Sequence, residues 1–119
     1  MKSDPIYHIC RADEWAAAQT NGSYGGSSQD KADGFIHFSG GDKVVESAAK
    51  HRAGQDGLVL LEVDQTKLGA ALKWEVSRND ILFPHLYSDL PVEAVLRSFE
   101  LSLDADGKHV FPTDWGLGE

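Results

Sequence analysis

The sequence has little of what marks secreted, membrane and zinc-binding proteins. Cys10 is its single cysteine, so no disulfide can form within the chain and no cysteine-based zinc cluster is available. No apolar run approaches the roughly 18 residues that a membrane span needs, and the opening MKSDPIYHIC lacks the apolar stretch of a signal peptide. These absences predict a cytoplasmic protein without membrane contact.

Positive charge is scarce as well. The chain carries 11 Lys and Arg against 19 Asp and Glu, a formal net charge of −8. An acidic surface repels phosphate backbones, which argues against general nucleic-acid binding, although a local pocket can differ from the average field. The chain has no glycine-rich phosphate loop, dinucleotide-binding fingerprint or zinc-ligand spacing, so no metal is expected.

What remains is the composition of an ordinary globular domain. Of the 119 residues, 41% are hydrophobic and 25% are charged. This length is typical of a single domain that can bury a core without disulfides or metals. We expect one domain over residues 1–119, with its core at about 6–111, and a monomer.

Segments with strand character outnumber helical ones. Strands are predicted for PIYHIC at about 6–10, FIHFS at 35–39, LVLLEVD at 58–64, LKWEV at 72–76 and a short segment around Val110. Residues 95–103 fit a strand or a helix, and their alternation of apolar and polar residues favours the strand. Because the helices do not alternate with the strands, the pattern predicts an α+β domain rather than a doubly wound parallel sheet.

Two main helices are expected in the first half of the chain. ADEWAAAQ, at 12–19, has early acidic residues and places Trp15 and Ala18 on one face. GGDKVVESAAKHRAG has helical periodicity, with Asp42 as candidate N-cap and Gly54 as the end signal.

Two long stretches are predicted to be irregular. Residues 21–34, NGSYGGSSQDKADG, are expected to form a binding loop or lid. Residues 77–91 contain FPHLYSDLP, and Pro84 favours a path over the surface rather than a place in a central sheet.

The segment DGFIHFS, residues 33–39, is the first candidate for a functional surface. Alternation along a strand puts His37 and Ser39 on one face, with Ile36 and Phe38 on the other. A histidine and a serine two residues apart could belong to a reactive site, or to an ordinary polar face.

Further polar residues lie on neighbouring strands. His8 is on the first predicted strand and Glu75 on the fourth, so both could converge with DGFIHFS on one ligand cleft. Each also fits a structural role, as a hydrogen-bonded histidine or a solvated carboxylate. His85 fits a cleft wall or a packed loop anchor equally well, and Cys10 fits a small buried apolar residue better than a nucleophile.

Five blocks in this order resemble a known family. IYHI, DGFIHFS, LVLLEVD, LKWE and FPHLYSDLP, spread between Ile6 and Leu103, resemble the small bacterial proteins of domain-of-unknown-function family 952. The fold of that family resembles the ADP-ribosyltransferase fold, a split antiparallel β arrangement with a cleft for NAD. The resemblance therefore implies an ADP-ribosylation-like domain with a split antiparallel β core and two main helices.

The same resemblance implies roles for individual residues. His8 would hold the NAD, His37 with Ser39 would shape the pocket beside the nicotinamide, and Glu75 would stabilise positive charge on the ribose. His85 and Tyr87 are added from the interpretation of FPHLYSDLP as a cleft wall, so the expected site has catalytic Glu75 and His37, and ligand-binding His8, Ser39, His85 and Tyr87. The pyrophosphate would fall to Arg11, Arg52 or Arg78. The paired glutamates of enzymes that modify arginine are absent.

The expected function is the binding of NAD or another nucleotide, with NAD as substrate rather than resident cofactor. The protein would then transfer ADP-ribose or a related group, as a transferase or glycohydrolase. The alternative is a non-catalytic domain of the same fold that binds or senses a small molecule.

Overall fold

Nine strands and three helices form the part of the chain that the computed structural model describes, residues 4–77 and 80–117. In chain order they are β1 (Ile6–Arg11), α1 (Ala12–Asn21), β2 (Ser23–Tyr24), α2 (Ser28–Asp33), β3 (Ile36–His37), β4 (Ser39–Gly40), α3 (Val44–His51), β5 (Leu58–Val63), β6 (Leu72–Val76), β7 (Leu82–Leu86), β8 (Leu90–Pro91) and β9 (Val95–Leu101). Within these described residues, no helix has the length and apolar character that a bilayer crossing demands.

The strands form separate antiparallel sheets. One has the order β4-β1-β5-β9, a second has the order β3-β7-β6, and β2 pairs with β8. The architecture is a single α+β domain with a divided antiparallel β core, as predicted. The strand interpretation of residues 95–103 is confirmed by β9.

Strand β5 is the centre of the fold. All six of its residues are buried because apolar groups cover both of its faces. Val59 and Leu61 face the core that contains Trp15 of α1. Leu58 and Leu60 face a second core that contains Val44 of α3. The apolar run LVLLEV is therefore buried on both sides.

The segment DGFIHFS joins two sheets rather than forming one strand. Its residues Ile36 and His37 pair with β7, whereas Ser39 and Gly40 pair with β1. Phe38 lies between them, buried at 3% exposure, and its amide donates to the carbonyl of Pro84 at 3.0 Å. The predicted five-residue strand is thus split, although Ile36 and Phe38 are buried as the alternation predicted.

Both predicted main helices are present as α1 and α3, and the structure adds a third, short helix, α2. The stretch 21–34, expected to be an irregular loop, contains β2 and the six-residue helix α2. Ser27 caps α2, since its hydroxyl accepts from the amide of Asp30 while the Asp30 carboxylate accepts from the amide of Ser27. A helix this short has no apolar periodicity to reveal it.

Helix α3 begins later than predicted. Lys43, not Asp42, occupies the N-cap position, where no side chain caps the helix. The helix ends at His51 with Arg52 as the C-cap residue, before the glycine expected to stop it.

Strand β7 contradicts the prediction that FPHLYSDLP runs over the surface. Leu82–Leu86 is the middle strand of its sheet, and Pro84 lies opposite Trp74 of β6. The sheet tolerates this proline because the pairing of β3 with β7 ends at His37 and His85. The next pair would need a backbone N–H from Pro84, which proline lacks. Around Val110 the described chain forms a single bridge, Leu103 to His109, instead of the predicted strand.

Candidate functional site

A cleft of about 680 Å³ opens between the two larger sheets and the helices α2 and α3. Four of the five histidines of the chain line it, and so do two arginines: His8, His37, His51, His85, Arg11 and Arg52. A second hollow of about 480 Å³, beside Trp115, has no histidine among its described lining residues. Titratable groups are thus concentrated in one cleft.

Both ring nitrogens of His8 form hydrogen bonds within the protein. Its Nδ1 donates to the carbonyl of His37 at 2.6 Å, and its Nε2 accepts from the hydroxyl of Tyr24 at 2.9 Å. Burial lowers the pKa of His8, which favours the neutral ring that this pattern requires. A ligand could reach a His8 nitrogen only by breaking one of these bonds.

His37 is held between two carboxylates of α2. Its Nδ1 donates to Asp30 Oδ1 at 2.5 Å and its Nε2 to Asp33 Oδ2 at 3.0 Å. The hydrogen bond to Asp30 raises the pKa of His37, and the charge of Asp33 adds to the effect. With both nitrogens donating, the ring is an imidazolium, a fixed positive charge on the cleft wall.

Asp30 is the anchor of this arrangement. It is 3% exposed, and its carboxylate accepts from the amides of Ser27 and His37 as well as from the His37 ring. Burial alone would raise its pKa, but these hydrogen bonds outweigh burial and lower the pKa to about 2. The carboxylate therefore stays ionised inside the protein.

His85 and Glu75 form a second carboxylate–histidine pair. The Nδ1 of His85 donates to Glu75 Oε1 at 2.9 Å, and the hydroxyl of Tyr87 donates to the same oxygen at 2.7 Å. The ring of Phe35 stacks on His85, with 4.1 Å between centroids. The hydrogen bond from Tyr87, followed by that from His85, lowers the pKa of Glu75.

The cleft gathers most of the predicted site residues, but not all of them. His8, His37, Ser39 and His85 line it. Glu75 lies behind His85 and reaches the cleft only through that ring, because Glu75 itself is absent from the described lining. Tyr87 contacts Glu75 rather than the cleft wall.

The remaining predicted residues have separate positions. Ser39 Oγ donates to Ser47 Oγ of α3 at 3.3 Å. Arg52 donates through Nη2 to the carbonyl of Ile9 at 3.2 Å, and Arg11 pairs with Asp13. Arg78, the third candidate for a pyrophosphate contact, lies outside the described residues.

Cys10 is buried at 0% exposure, as predicted. Burial raises the pKa of its thiol to about 12, so the sulfur stays protonated. Among residues 4–77 and 80–117, no group of three or more His, Cys, Asp or Glu is arranged to hold a metal ion.

Sequence reasoning missed the residues that hold the histidines. Asp30, Asp33 and Tyr24 lie in a stretch interpreted as a loop, whereas Phe35 was expected on the strand face of His37 without a contact to His85. One signal was present: Ser27 and Asp30 have the spacing of a reciprocal helix cap, which would have placed Asp30 in the first turn of a helix.

The chain belongs to a protein family whose model matches most of its length. Residues 9–98 match the family described as "Protein of unknown function (DUF952)", which confirms the family resemblance. No protein with a curated description matches the chain.

Solved structures of one relative share the fold. The crystal structure of protein CC0527 from Caulobacter crescentus is 50% identical in sequence, with a TM-score of 0.85 over 89% of this chain and 93% of that one. The solution NMR structure of CC0527 is 51% identical, with a TM-score of 0.78 over 87% of this chain and 90% of the other. These comparisons establish the fold and the family.

Proposed function

We propose that the histidine-lined cleft binds a nucleotide such as NAD, and that the protein transfers ADP-ribose from it to a hydroxyl or to water. The observation that carries this proposal is that four of the five histidines and two arginines line one cleft in a chain of net charge −8. The positive charge of this lining comes from Arg11, Arg52 and the His37 imidazolium, beside the carboxylates of Glu14, Asp30 and Asp33, and such cationic groups are suited to an anionic ligand.

Two positive groups in the cleft favour a pyrophosphate. The imidazolium of His37 keeps its charge near neutral pH, because the hydrogen bond to Asp30 raises its pKa. Arg52 donates to the carbonyl of Ile9 and, through Nη1, to Gln55 Oε1 at 3.4 Å, and a guanidinium has further N–H donors for a ligand. The cleft volume of about 680 Å³ falls within the range of small-molecule and cofactor sites.

The resemblance of the family to the ADP-ribosyltransferase fold supports the choice of NAD. In ADP-ribose transfer the bond between ribose C1′ and the nicotinamide nitrogen breaks while positive charge grows on the ribose. The ionised Glu75 contacts the ring of His85, which lines the cleft, so it would act on the reaction by holding that ring. This differs from the direct contact that the resemblance implied.

A second candidate function is binding or sensing without catalysis. It is favoured by His8 and His37, whose four ring nitrogens are all engaged by protein groups. Such rings can shape a pocket without exchanging protons with a ligand. Binding of NAD without release of nicotinamide would identify this function.

Calorimetry with NAD and ADP-ribose tests the proposed binding. Arg52→Gln should weaken binding by about 10- to 100-fold, the usual loss for one charge-assisted contact. Lys50→Gln is the matched control, since it removes the same charge from an exposed residue in the last turn of α3, two positions before the Arg52 C-cap. We expect its affinity to stay within about twofold of wild type. If wild-type protein binds neither compound at millimolar concentration, the nucleotide proposal is wrong.

A further inference from the structure

His85 is oriented by the groups around it. Because Glu75 is ionised and accepts from Nδ1, the proton of a neutral His85 ring must lie on Nδ1. Tyr87 holds the accepting oxygen from a second direction, and Phe35 covers one face of the ring. Carboxylate, imidazole and stacking partner together fix both the tautomer and the plane of the ring.

The opposite nitrogen of His85 is open to the cleft. Within residues 4–77 and 80–117, no protein atom forms a hydrogen bond with Nε2, although the side chain is only 10% exposed. His8 and His37 differ in this respect, since protein groups occupy both nitrogens of each ring. His85 thus brings an unshared lone pair to a largely enclosed wall of the cleft.

We propose that His85 Nε2 is the proton acceptor of the transfer reaction and that Glu75 is its positioning residue. This inference rests on the proposed function and deepens it. An attacking water or hydroxyl forms a bond from its oxygen to ribose C1′ and gives its proton to Nε2. The bond from C1′ to the nicotinamide nitrogen breaks, and its electron pair leaves with neutral nicotinamide. The proton on His85 then returns to solvent.

The charged neighbours of His85 suit this role. Glu75 on β6 stabilises the imidazolium that forms, and Tyr87, directly after the end of β7, donates to the same carboxylate. Lys73 of β6 lies opposite His85 in the register, and the His37 ring is 5.7 Å away between centroids.

Three variants separate catalysis from binding. His85→Gln should lower the rate of nicotinamide release by about 10²- to 10⁴-fold, the usual contribution of a general base. It should leave NAD affinity within about threefold of wild type, since a proton acceptor acts mainly in the transition state. Glu75→Gln should also slow the reaction, and Tyr87→Phe should slow it less. His109→Gln, outside the cleft, is the histidine control.

A spectroscopic measurement separates positioning from folding. Long-range ¹H–¹⁵N correlation spectra of wild type should show His85 as the Nδ1–H tautomer above neutral pH. Glu75→Gln should populate the Nε2–H tautomer and shift the acidic limb of the pH–rate profile, whereas a merely structural Glu75 would leave both unchanged in the folded variant.

The outcomes distinguish failure of the His85 proposal from failure of the nucleotide-binding proposal. NAD binding with no turnover, or with turnover unaffected by His85→Gln, overturns the role of His85 and leaves nucleotide binding intact. A wild-type Nε2–H tautomer overturns that role whatever the affinity. No binding of NAD overturns the proposed function, and this inference with it.

Discussion

At the scale of single residues, the pair formed by Asp30 and His37 decides the charge of the cleft. The buried carboxylate cannot be solvated by water, so the imidazolium serves in its place. Removing the charge of Asp30 leaves His37 with the half-exposed Asp33 as its counter-charge, and removing the charge of His37 leaves the buried Asp30 carboxylate dependent on its backbone amide donors. The site therefore contains a positive group that belongs to the folded protein and not to a ligand.

Asp30→Asn tests this pair. We expect the free energy of unfolding to fall by about 2–3 kcal/mol, less than for a fully buried pair because His37 is half-exposed. NMR titration should show a lower pKa for His37 in the variant. Asp33→Asn, at the exposed partner, should cost less than about 1 kcal/mol. Equal losses for the two variants would contradict the anchoring role of Asp30.

The pair also predicts how stability depends on pH. The raised pKa of His37 contributes stability below its ordinary value of 6.5, and this is lost as pH rises through the folded value. The pKa of Asp30, lowered to about 2 from 3.8, contributes stability above 3.8 that is lost as pH falls toward 2. Urea unfolding of wild type and Asp30→Asn should therefore differ most between these two ordinary values, with the difference shrinking on either side.

Cys10 gives a prediction of the opposite kind, an absence of reactivity. Its thiol is buried and its pKa is raised to about 12, so the native protein should not react with iodoacetamide at pH 8. Urea should make the thiol reactive, which mass spectrometry would follow. Rapid alkylation in native buffer would show that the strand around Cys10 opens readily.

At the scale of elements, sequence patterns predicted those segments whose burial is regular. Strands β1, β5, β6 and β9 and helix α1 have alternation, a continuous apolar run or helical periodicity, and the structure confirms them. Helix α2 and strand β7 were missed for physical reasons. The first is held by its cap rather than by an apolar face, and the second contains a proline that the sheet accommodates at the end of β3.

The candidate site was predicted in the same partial way. Alternation brought out His8, His37 and Ser39, which do line the cleft. Alternation could not reveal that Asp30 and Asp33 bind His37, because those contacts depend on a short helix whose signal is its cap spacing rather than an apolar pattern. Nor could it place Glu75 behind His85, since that contact depends on the pairing of β6 with β7.

Two glycines with positive φ test whether the backbone just before α2 constrains Asp30. Gly26 has φ +95, and a Cβ there would lie 2.8 Å from Asp30 Cβ. Gly22 has φ +87, with nothing within 4 Å of an added Cβ. Gly22→Ala should cost about 1–2 kcal/mol for the left-handed backbone alone. Gly26→Ala should cost more and lower the pKa of His37 by displacing Asp30.

Chemical denaturation of both glycine variants measures the difference. If Gly26→Ala and Gly22→Ala lose the same stability, the contact between Gly26 and Asp30 does not constrain the cleft. If only Gly26→Ala changes the titration of His37, the backbone before α2 determines where Asp30 lies relative to His37.

At the scale of the whole molecule, Glu62 connects parts of the chain that are distant in sequence. It lies on the central strand β5, accepts from the Tyr7 hydroxyl at 2.8 Å and receives two hydrogen bonds from Arg97 at 2.8 and 3.2 Å. Arg97 lies over the ring of Trp115, 4.0 Å from its centroid. One buried carboxylate thus joins β1, β9 and the C-terminal segment.

Glu62→Ala should destabilise the protein by about 3 kcal/mol, because it leaves the Tyr7 hydroxyl and the Arg97 guanidinium without their acceptor. Thermal and urea unfolding would measure the loss. Glu100→Ala, at an exposed position of β9, should change stability by less than about 0.5 kcal/mol. A comparable loss of stability for the two substitutions would mean that the hydrogen bonds of Glu62 contribute no more stability than an exposed surface charge.

Strand β6 has a consequence for how copies of the molecule meet. In the described part of the chain it pairs with β7 alone, so the backbone groups along its outer side can accept a strand from another molecule. Burial of the exposed apolar side chains of Trp74 and Val76 would stabilise that contact, while the charges of Lys73 and Glu75 oppose it. We therefore expect the charge of Glu75 to oppose aggregation as well. Light scattering should show Glu75→Gln associating at concentrations where wild type stays monodisperse.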